Sequence, residues 1–515
     1  MGIPSYFSFI VKNYSSIIKN LSYFYDVNNQ LDHLYMDCNS IIYDIVNKEP
    51  YLQNDIEYEK IIIGLVITKI KDYINYIKPK KSVYITFDGV APFAKMKQQR
   101  TRRYKNIFIN KLENNTNKWN TSKITPGTDF MVKLTDALNK LKDEWNNNIL
   151  LKISSVDSPG EGEHKLFNDL RKQNRINDTY AVYGLDSDLL MLSIFNLQYS
   201  KNIYVFREAP EFLKNTLLKK YVDLQSDFCF MDIKEFVYQI QKNMECQYNN
   251  IRRTYDYIFI CFLLGNDFLP HIPSLNIRTH GIQVLLDIYR KFIGRFEDKY
   301  LISEKYSIIW RNVKLYITEL SKIEHTMLLQ EYKQRGKFNN YYDSEFNNIP
   351  IKYKYIEDYI CPTEYKWEER YYISLFDLNR TEKEKDICNN YIQGLEWVFK
   401  YYTDECIDWK WSYKYDYPPL MVDLCKYISD FDMDFLFKKN KPYLDVVQLS
   451  YVLPRENLKL LSDDKKEYIL TNYSHLYPEK YDFKFAFCRY FWEAHPILPN
   501  ISTDVMDKWE QTFIN

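Results

Sequence analysis

The sequence predicts an α/β fold with a mixed, partly parallel central sheet flanked by helices. Three short apolar runs, at residues 34–36, 83–87 and 181–183, are bounded by polar residues or glycine, as buried strands are. Helical patterns separate these runs, as in residues 58–77, where apolar residues recur every three or four positions. Strands that alternate with helices are typical of a sheet that is at least partly parallel.

An acidic residue follows each of the three predicted strands. Asp37 and Asp88 come directly after the first two runs, and Asp186 follows the third after Gly184 and Leu185. The carboxyl ends of parallel strands face a shared crevice, so acids placed there can converge on one site.

The composition is that of a large, well-packed globular protein. The chain has 515 residues, of which 46% are apolar and only 12 are glycine, so it can form a large core or two to three lobes. Tyrosine is very abundant at 48 residues. Such a bias fits an AT-rich genome, as in a large DNA virus or an AT-rich microbe, and only a few of these tyrosines can serve as base-stacking platforms.

Cysteine and histidine spacing argues against a zinc site and a disulfide framework. The nine cysteines form no CxxC pair, and the seven histidines form no HxxxH pair. No apolar run approaches the ~18 residues that span a bilayer, and the first residues lack a signal-peptide pattern. We therefore expect an intracellular protein without a membrane partner, in the cytoplasm rather than the nucleus, or in the host cytoplasm or virion if the source is a virus.

The segment 87–105, FDGVAPFAKMKQQRTRRYK, joins an acid at a strand end to a strongly basic helix. Six of the eleven residues 95–105 are Lys or Arg, whereas the whole chain is neutral with 69 basic and 69 acidic residues. A carboxylate beside such a dense field of cations suggests a metal-dependent site that acts on a polyanion. The alternative interpretation is a solvated basic helix.

Seven acids in five clusters form a candidate metal-binding set: Asp37, Asp88, Glu161, Glu163, Asp186, Asp188 and Asp267. Mg²⁺ prefers hard oxygen ligands, and two such ions about 4 Å apart can activate water and stabilise the leaving oxygen of a phosphodiester. Mn²⁺ suits the same ligands.

Each acid also has a purely structural interpretation. Ser158 to Glu161 resembles a helix start with a capping box. Glu161 and Glu163 are two positions apart, so both reach one metal only if the helix points end-on at the site. Asp186 and Asp188 fit a solvated turn, and Asp267 fits a loop residue or a helix cap.

Taken together, the motifs resemble the Xrn family of 5′→3′ exoribonucleases. The resemblance runs, in the family's order, through MGIPSYF, LYMDCNSIIY, FDGVAPFAKMKQQRTRRYK, ITPGTDFM, SPGEGEHK, GLDSDLLML, LGNDFLPHIPSLNIR, YIQGLEWVFKYY, WKWSYKYDYPP, VVQLSYVLP and FWEAHPILP. It implies a 5′-nuclease (PIN-like) domain in residues 1–335, a linker in 336–385, and a mainly helical second conserved region in 386–515. That region would pack on the nuclease domain and complete its pocket.

The resemblance also implies roles for individual residues. All seven acids match the family's Mg²⁺ ligands, and Lys95, Gln99, Arg102 and Arg103 match its pocket for the substrate's 5′-phosphate. The spacing of these four residues places them on one face of a helix, which supports the assignment independently.

Two aromatic residues are the candidates for base stacking. Tyr43 occupies the position of the family's stacking His, and a tyrosine ring can still stack on a base although it cannot become cationic. Trp411 is the candidate for the opposite wall, with Trp409 in reserve. The alternative for both tryptophans is packing in the core.

The predicted function is processive 5′→3′ degradation of single-stranded RNA with a 5′-monophosphate, by two-metal-ion hydrolysis to 5′-mononucleotides, as in mRNA decay. We expect a monomer. A flap-endonuclease-like DNA 5′-nuclease would use the same acids, and a non-catalytic RNA-binding scaffold is the alternative outside enzymes. The intact acid set argues against the scaffold.

Overall fold

A computed structural model describes residues 2–25, 30–113, 118–145, 148–210, 228–337, 345–378, 380–431 and 435–514. Its centre is a seven-stranded sheet. The strands are β1 (Ile18–Lys19), β2 (His33–Asp37), β3 (Ser82–Thr86), β4 (Leu150–Ser154), β5 (Thr179–Tyr183), β6 (Asn202–Glu208) and β7 (Phe228–Asp232). Their order in the sheet is β1-β7-β6-β5-β2-β3-β4.

The sheet is mixed, as the sequence predicts. Strands β6, β5, β2, β3 and β4 run parallel, whereas β7 is antiparallel to β6 and β1 is antiparallel to β7. All residues of β2 and β5 are buried, which is typical of parallel strands covered on both faces. A separate two-stranded ribbon pairs β8 (Phe483–Lys484) with β9 (His495–Pro496).

Helices account for most of the remaining described structure. They are α1 (Tyr6–Asn13), α2 (Asn39–Lys48), α3 (Asp55–Ile77), α4 (Phe93–Leu112), α5 (Asp129–Asp143), α6 (Gly162–Gln173), α7 (Asp188–Asn196), α8 (Ile233–Met244), α9 (Ile251–Cys261), α10 (Gly281–Tyr289), α11 (Trp310–Gly336), α12 (Ile349–Lys352), α13 (Tyr355–Ile360), α14 (Trp367–Phe376), α15 (Arg380–Thr403), α16 (Met421–Tyr427), α17 (Asp445–Val452), α18 (Asp463–Tyr473) and α19 (Thr503–Ile514). One π-helical turn, Arg290–Gly294, follows α10. The 3₁₀ turns are Ser15–Ile17, Leu21–Tyr25, Thr121–Lys123, Phe262–Leu264, Glu345–Asn348, Arg455–Leu460, Ser474–Leu476 and Phe491–Glu493.

The helices cover both faces of the sheet. Leu34 and Met36 of β2 pack in one core with α2, α3 and α5, while Tyr35 packs on the opposite face with α6 to α9. Successive residues of a strand point to opposite faces, so one short strand contributes to two cores.

The second conserved region is mainly helical and packs on the nuclease sheet, as expected. Helix α15 belongs to the same core as α7 and α9. Helices α17 to α19 form a further core that includes Phe93 and Met96 of α4. Helix α4 of the nuclease domain therefore forms part of the contact with the second conserved region.

The predicted linker, residues 336–385, contains three helices, α12 to α14, in its described part. The Arg335 guanidinium and the Glu357 carboxylate form a buried ion pair, with Nε and Oε2 2.7 Å apart, and Tyr371 and Tyr372 are fully buried. These helices are too short to give a clear periodic signal in the sequence. Residues 338–344 and 379 lie outside the described residues, and the domain boundaries at 335 and 385 stay a prediction.

None of the helices in the described part of the chain combines the length and apolar character needed to cross a bilayer.

Candidate active site

The parallel strands bring the first acids together. Strands β5, β2 and β3 are neighbours, with Met36 opposite Tyr183 and Asp37 opposite Thr86. Asp37 is the last residue of β2, and Asp88 and Asp186 follow the carboxyl ends of β3 and β5. The acids therefore share one edge of the sheet, as the sequence predicts.

Helix α6 points its first turn at this edge. The helix begins at Gly162 with Glu161 at the N-cap position, and the Glu161 side chain makes no capping bond. The predicted capping box from Ser158 is therefore wrong. The Gly162 amide donates to Asp88 Oδ1 at 2.7 Å. Because the helix start lies end-on, Glu163 also reaches the cluster.

The carboxylates approach one another closely. Carboxylate oxygens of Asp37, Asp88 and Glu163 lie within 4.8 Å of each other, and ligand atoms of Glu161, Glu163 and His164 form a second such group. The carboxylates of both groups, but not His164, line a cavity of about 150 Å³. Five of the seven predicted acids line it: Asp37, Asp88, Glu161, Glu163 and Asp186.

The other two acids, Asp267 and Asp188, do not line this cavity but interact with residues that do. Asp267 Oδ2 accepts a hydrogen bond from Lys95 Nζ at 2.7 Å, and Lys95 also contacts Glu161. Asp188 is buried, and burial together with the charge of Asp267 raises its pKa to about 7. Asp188 is therefore not part of a solvated turn, and the Asp267 side chain, although it lies in a loop, is buried in an ion pair.

Burial and mutual repulsion dominate the electrostatics of the cluster. Burial, followed by the charges of Asp88 and Asp186, raises the pKa of Asp37 well above its usual value. Burial, followed by the charge of Glu161, likewise raises the pKa of Glu163 well above its usual value. The charge on these carboxylates is therefore unfavourable in the protein alone.

A divalent cation fits this set of donors. The carboxylates of the set supply hard oxygen ligands, and Asp37 Oδ1 is buried without a hydrogen-bond partner among the described residues. An unpaired buried carboxylate oxygen is strongly unfavourable unless a cation neutralises it. The structure therefore supports metal binding by this cluster, and Mg²⁺ and Mn²⁺ both suit the oxygens.

One face of α4 completes the cavity. The four predicted phosphate-binding residues line it: Lys95, Gln99, Arg102 and Arg103. Arg103 donates through Nη2 to Thr125 Oγ1, while its Nη1 is buried without a partner among the described residues. Burial lowers the pKa of Arg103 to about 10. An oxyanion in the cavity would satisfy this nitrogen.

The remaining cations of α4 hold the second conserved region in place. Arg100 donates to the carbonyl oxygens of Pro499 and Leu476 at 2.8 and 3.0 Å. Lys97 and Lys105 donate to other backbone carbonyls of that region. The alternative of a solvated basic helix is therefore wrong.

Gln448, which sequence reasoning missed, orients the Gln99 amide. The Ala91 amide donates to Gln448 Oε1 at 2.8 Å, so Gln448 Nε2 must be the donor to Gln99 Oε1 at 3.3 Å. Gln99 then has its own Nε2 donors left for the cavity. A backbone N–H can only donate, so it fixes both amide orientations.

Two further site residues that the sequence did not predict are Tyr401 and Tyr402, at the end of α15. The Tyr401 hydroxyl donates to Glu161 Oε1 at 2.9 Å, and its ring stacks on His164 with centroids 3.7 Å apart. Tyr402 is hydrogen-bonded to Asp188. The YIQGLEWVFKYY motif contains both tyrosines, but spacing along the chain does not reveal which acid each one reaches.

The structure places Tyr43 on the wall of the acid cavity but does not bring Trp411 there. Trp411 stacks on Trp397 with centroids 5.0 Å apart and donates through Nε1 to Gln393 at 3.0 Å. Helix α15 supplies both contacts one turn apart, so Trp411 packs in the core. The pairing of Trp411 with Tyr43 around a base therefore stays a prediction, since Trp411 lines a different cavity, with Phe93 and Lys97 of α4.

Trp409, the reserve candidate, lies elsewhere as well. It lines a separate small cavity with Gly160 and Lys165, next to the loop that precedes Glu161.

Comparisons with known proteins agree with the motifs. The XRN 5′-3′ exonuclease N-terminus matches residues 1–209, and the Xrn1 helical domain matches residues 247–349 and 351–509. The chain is similar to 5′-3′ exoribonuclease 1 of Saccharomyces cerevisiae, with 25% identity over 90% of this chain and 40% of the relative. It is also similar to the 5′-3′ exoribonuclease 2 homolog of Drosophila melanogaster, with 24% identity over 97% of this chain and 69% of the relative.

Among solved structures, the chain is similar to the catalytic core of Rad2 in complex with DNA substrate, with 13% identity and a TM-score of 0.34 over 67% of this chain and 83% of that one. The chain spans less than half the length of the yeast relative and about two thirds of the fly relative. Matches to both domain patterns cover most of its residues. The chain belongs to the Xrn family of 5′-3′ exonucleases.

Proposed function

We propose that this chain is a 5′→3′ exoribonuclease that degrades single-stranded RNA with a 5′-monophosphate to 5′-mononucleotides. The observation that carries this proposal is that one cavity is lined by carboxylates on one side and by the cationic face of α4 on the other. A terminal phosphate held by α4 keeps the next phosphodiester beside the carboxylates. Cleavage then falls at the first linkage.

The cationic face would bind the terminal phosphate. Arg102 and Arg103 can donate charge-assisted hydrogen bonds to its oxygens, and Gln99 can add a neutral donor. Lys95 is already paired with Glu161 and Asp267, so its role is to offset carboxylate charge between the two halves of the site. Tyr43 offers a ring for the first base.

The carboxylates would hold the metal. Two Mg²⁺ or Mn²⁺ ions, when bound, supply an activated water and stabilise the leaving oxygen. Tyr401 keeps Glu161 in position through its hydroxyl. Hydrolysis breaks the P–O3′ bond and gives a 5′-mononucleotide and a new 5′-phosphate, which can bind the same face of α4. This return of the product end accounts for processivity.

The walled cavity also accounts for selectivity. A cap or a triphosphate adds bulk and charge in a space of about 150 Å³ that is already bounded by protein on the α4 side. Such ends are therefore expected to resist degradation.

The test is degradation of 3′-labelled single-stranded RNA with a 5′-monophosphate, a 5′-hydroxyl or a 5′-triphosphate, with and without Mg²⁺. We expect Mg²⁺-dependent loss of the monophosphate substrate and release of mononucleotides. Internal cuts, or a preference for branched DNA, would support the flap-endonuclease alternative. Tight binding without any cleavage would support the scaffold.

Gly162→Ala is expected to lower RNA turnover at least about tenfold, because the new methyl group disturbs Asp37. A Cβ atom at Gly162 would overlap Asp37 Oδ1 and lie 3.0 Å from its Cγ. Displacement of a group beside a metal ligand typically lowers activity 10- to 100-fold. Single-turnover degradation of the 5′-phosphorylated RNA measures the effect.

Gly64→Ala is the matched control for this substitution. Gly64 is in α3, and an added Cβ meets nothing within 4 Å. The control is expected to keep wild-type turnover and to gain up to ~1 kcal/mol of helix stability. Equal turnover of the Gly162 and Gly64 variants would contradict the close packing of Gly162 on Asp37.

A further inference from the structure

A second cavity of about 330 Å³ adjoins the acid cluster. It lies between the first residues of the chain, the loop that follows α9, and the second conserved region. Asp267 lines this cavity, and its partner Lys95 lines the acid cavity. The two cavities are therefore separated by the Lys95–Asp267 ion pair.

The walls of the second cavity are largely apolar. Leu264, Leu269 and Leu275 are buried there, Phe487 lies beside them, and Trp492, 40% exposed, stands at the rim. The volume and the apolar lining match those of small-molecule pockets, which span about 300–1,000 Å³ and carry a few well-placed polar groups.

Three residues of the lining each carry a buried polar atom that lacks a hydrogen-bond partner among the described residues. These atoms are Gln98 Oε1, Asn266 Nδ2 and the hydroxyl oxygen of Tyr417. Asn266 Oδ1 accepts from the amides of Phe268 and Leu269, both at 2.9 Å, so its Nδ2 must be the group left over. An unsatisfied buried polar group is unfavourable, so three such groups beside one cavity indicate a ligand.

The charges of the lining indicate a neutral ligand. The Arg278 guanidinium is bound to Glu493 at 2.6 Å and to Ser5 at 3.0 Å, and Asp267 is paired with Lys95. Burial lowers the pKa of His495 to about 4, so this imidazole is uncharged at neutral pH. A phosphate would find no uncompensated cation among the described lining residues.

We propose that this cavity binds a nucleobase. A base is planar and uncharged, its faces suit the apolar walls, and its edge offers both donors and acceptors for Gln98, Asn266 and Tyr417. The inference rests on the proposed function for the origin of the base. It belongs either to a nucleotide of the bound RNA or to a released 5′-mononucleotide, and both present the same chemistry.

The test uses Tyr417→Phe and Gln98→Met, which remove the unpartnered atoms and keep the side-chain size. Binding is measured without metal, in EDTA, by fluorescence anisotropy of 3′-labelled 5′-phosphorylated RNA. In one arm, four different RNAs each carry a single abasic nucleotide, at the first, second, third or fourth position. The other arm uses unlabelled 5′-mononucleotides as competitors, with ribose 5-phosphate for comparison.

If the base comes from the bound RNA, an abasic nucleotide at one position is expected to weaken wild-type binding about tenfold, since a base contact contributes ~1–3 kcal/mol. Both variants should weaken binding of intact RNA and cause no further loss with that abasic RNA. If the base comes from released product, the variants should instead weaken competition by mononucleotides and leave ribose 5-phosphate unaffected.

Thermal unfolding separates ligand binding from a structural role. The Tyr417 hydroxyl has no partner in the described protein, so Tyr417→Phe is expected to leave the Tm unchanged or raise it. A lower Tm, or wild-type binding by both variants in both arms, would overturn the nucleobase site. The binding assay does not depend on cleavage, so an inactive protein that still shows the base effect would refute the proposed exoribonuclease and not this inference.

Discussion

Asp37→Asn is expected to lower the turnover of 5′-phosphorylated RNA by at least about 100-fold. Asp37 ends the central strand β2 and shares close carboxylate contacts with Asp88 and Glu163. The amide removes one charge from the set that would hold the metal, and loss of even an outer partner of a metal ligand typically lowers activity 10- to 100-fold. Single-turnover kinetics at saturating Mg²⁺ measures the effect.

The same substitution is expected to stabilise the metal-free protein. Because burial and like charges raise the pKa of Asp37, its folded state binds a proton more tightly than its unfolded state. That contribution to stability is complete below the ordinary carboxyl pKa and is lost as the pH rises through the folded pKa. In EDTA, Asp37→Asn should therefore differ little from wild type at pH 4 and show a higher Tm at pH 8, by on the order of 1–4 °C.

Asp136→Asn is the matched control, because Asp136 is exposed on α5. It should change neither turnover nor the pH dependence of the Tm. Near-wild-type turnover of Asp37→Asn would rule out the ligand role of Asp37. A lower Tm in EDTA at pH 8 would show that the carboxylate is stabilising without metal, against the electrostatic account of the cluster.

The acids of the sheet edge were predictable because the rule that places them is local. A short apolar strand that ends in an acid, repeated three times between helices, puts Asp37, Asp88 and Asp186 at one edge whenever the strands are parallel neighbours. The strand order β5-β2-β3 satisfies that condition. The spacing of the α4 residues likewise follows from the helix repeat, and all four line the cavity.

Other features depend on contacts between residues far apart in sequence. Gln448 reaches Ala91, and Tyr401 reaches Glu161, because the second conserved region packs on α4 and α6. The packing of Trp411 depends on its contacts with Trp397 and Gln393 of α15, which the WKW motif does not reveal. The charge density along α4 also did not distinguish the cations that line the cavity from those that donate hydrogen bonds to backbone carbonyls of the second conserved region.

Arg102→Ala is expected to remove the preference for a 5′-phosphate. Arg102 lines the cavity beside Arg103 and is only partly buried, so its loss should leave the fold intact. A hydrogen bond to a charged group contributes about 1.5–3 kcal/mol, so kcat/KM for 5′-phosphorylated RNA should fall about 10- to 100-fold. The value for 5′-hydroxyl RNA should hardly change, and the ratio of the two substrates measures the effect.

Lys111→Ala separates this specific contact from general attraction between α4 and RNA. Lys111 is in the last turn of the same helix, is 61% exposed and pairs with Glu456 at the surface. It carries the same charge as Arg102, so a purely electrostatic effect of α4 would weaken both RNAs equally in either variant and would fade with added salt. Unchanged discrimination in Arg102→Ala would count against the phosphate pocket. Overall charge is the same in the two variants. Loss of discrimination in Arg102→Ala but not in Lys111→Ala would therefore mean that the pocket recognises the phosphate through the geometry of its donors.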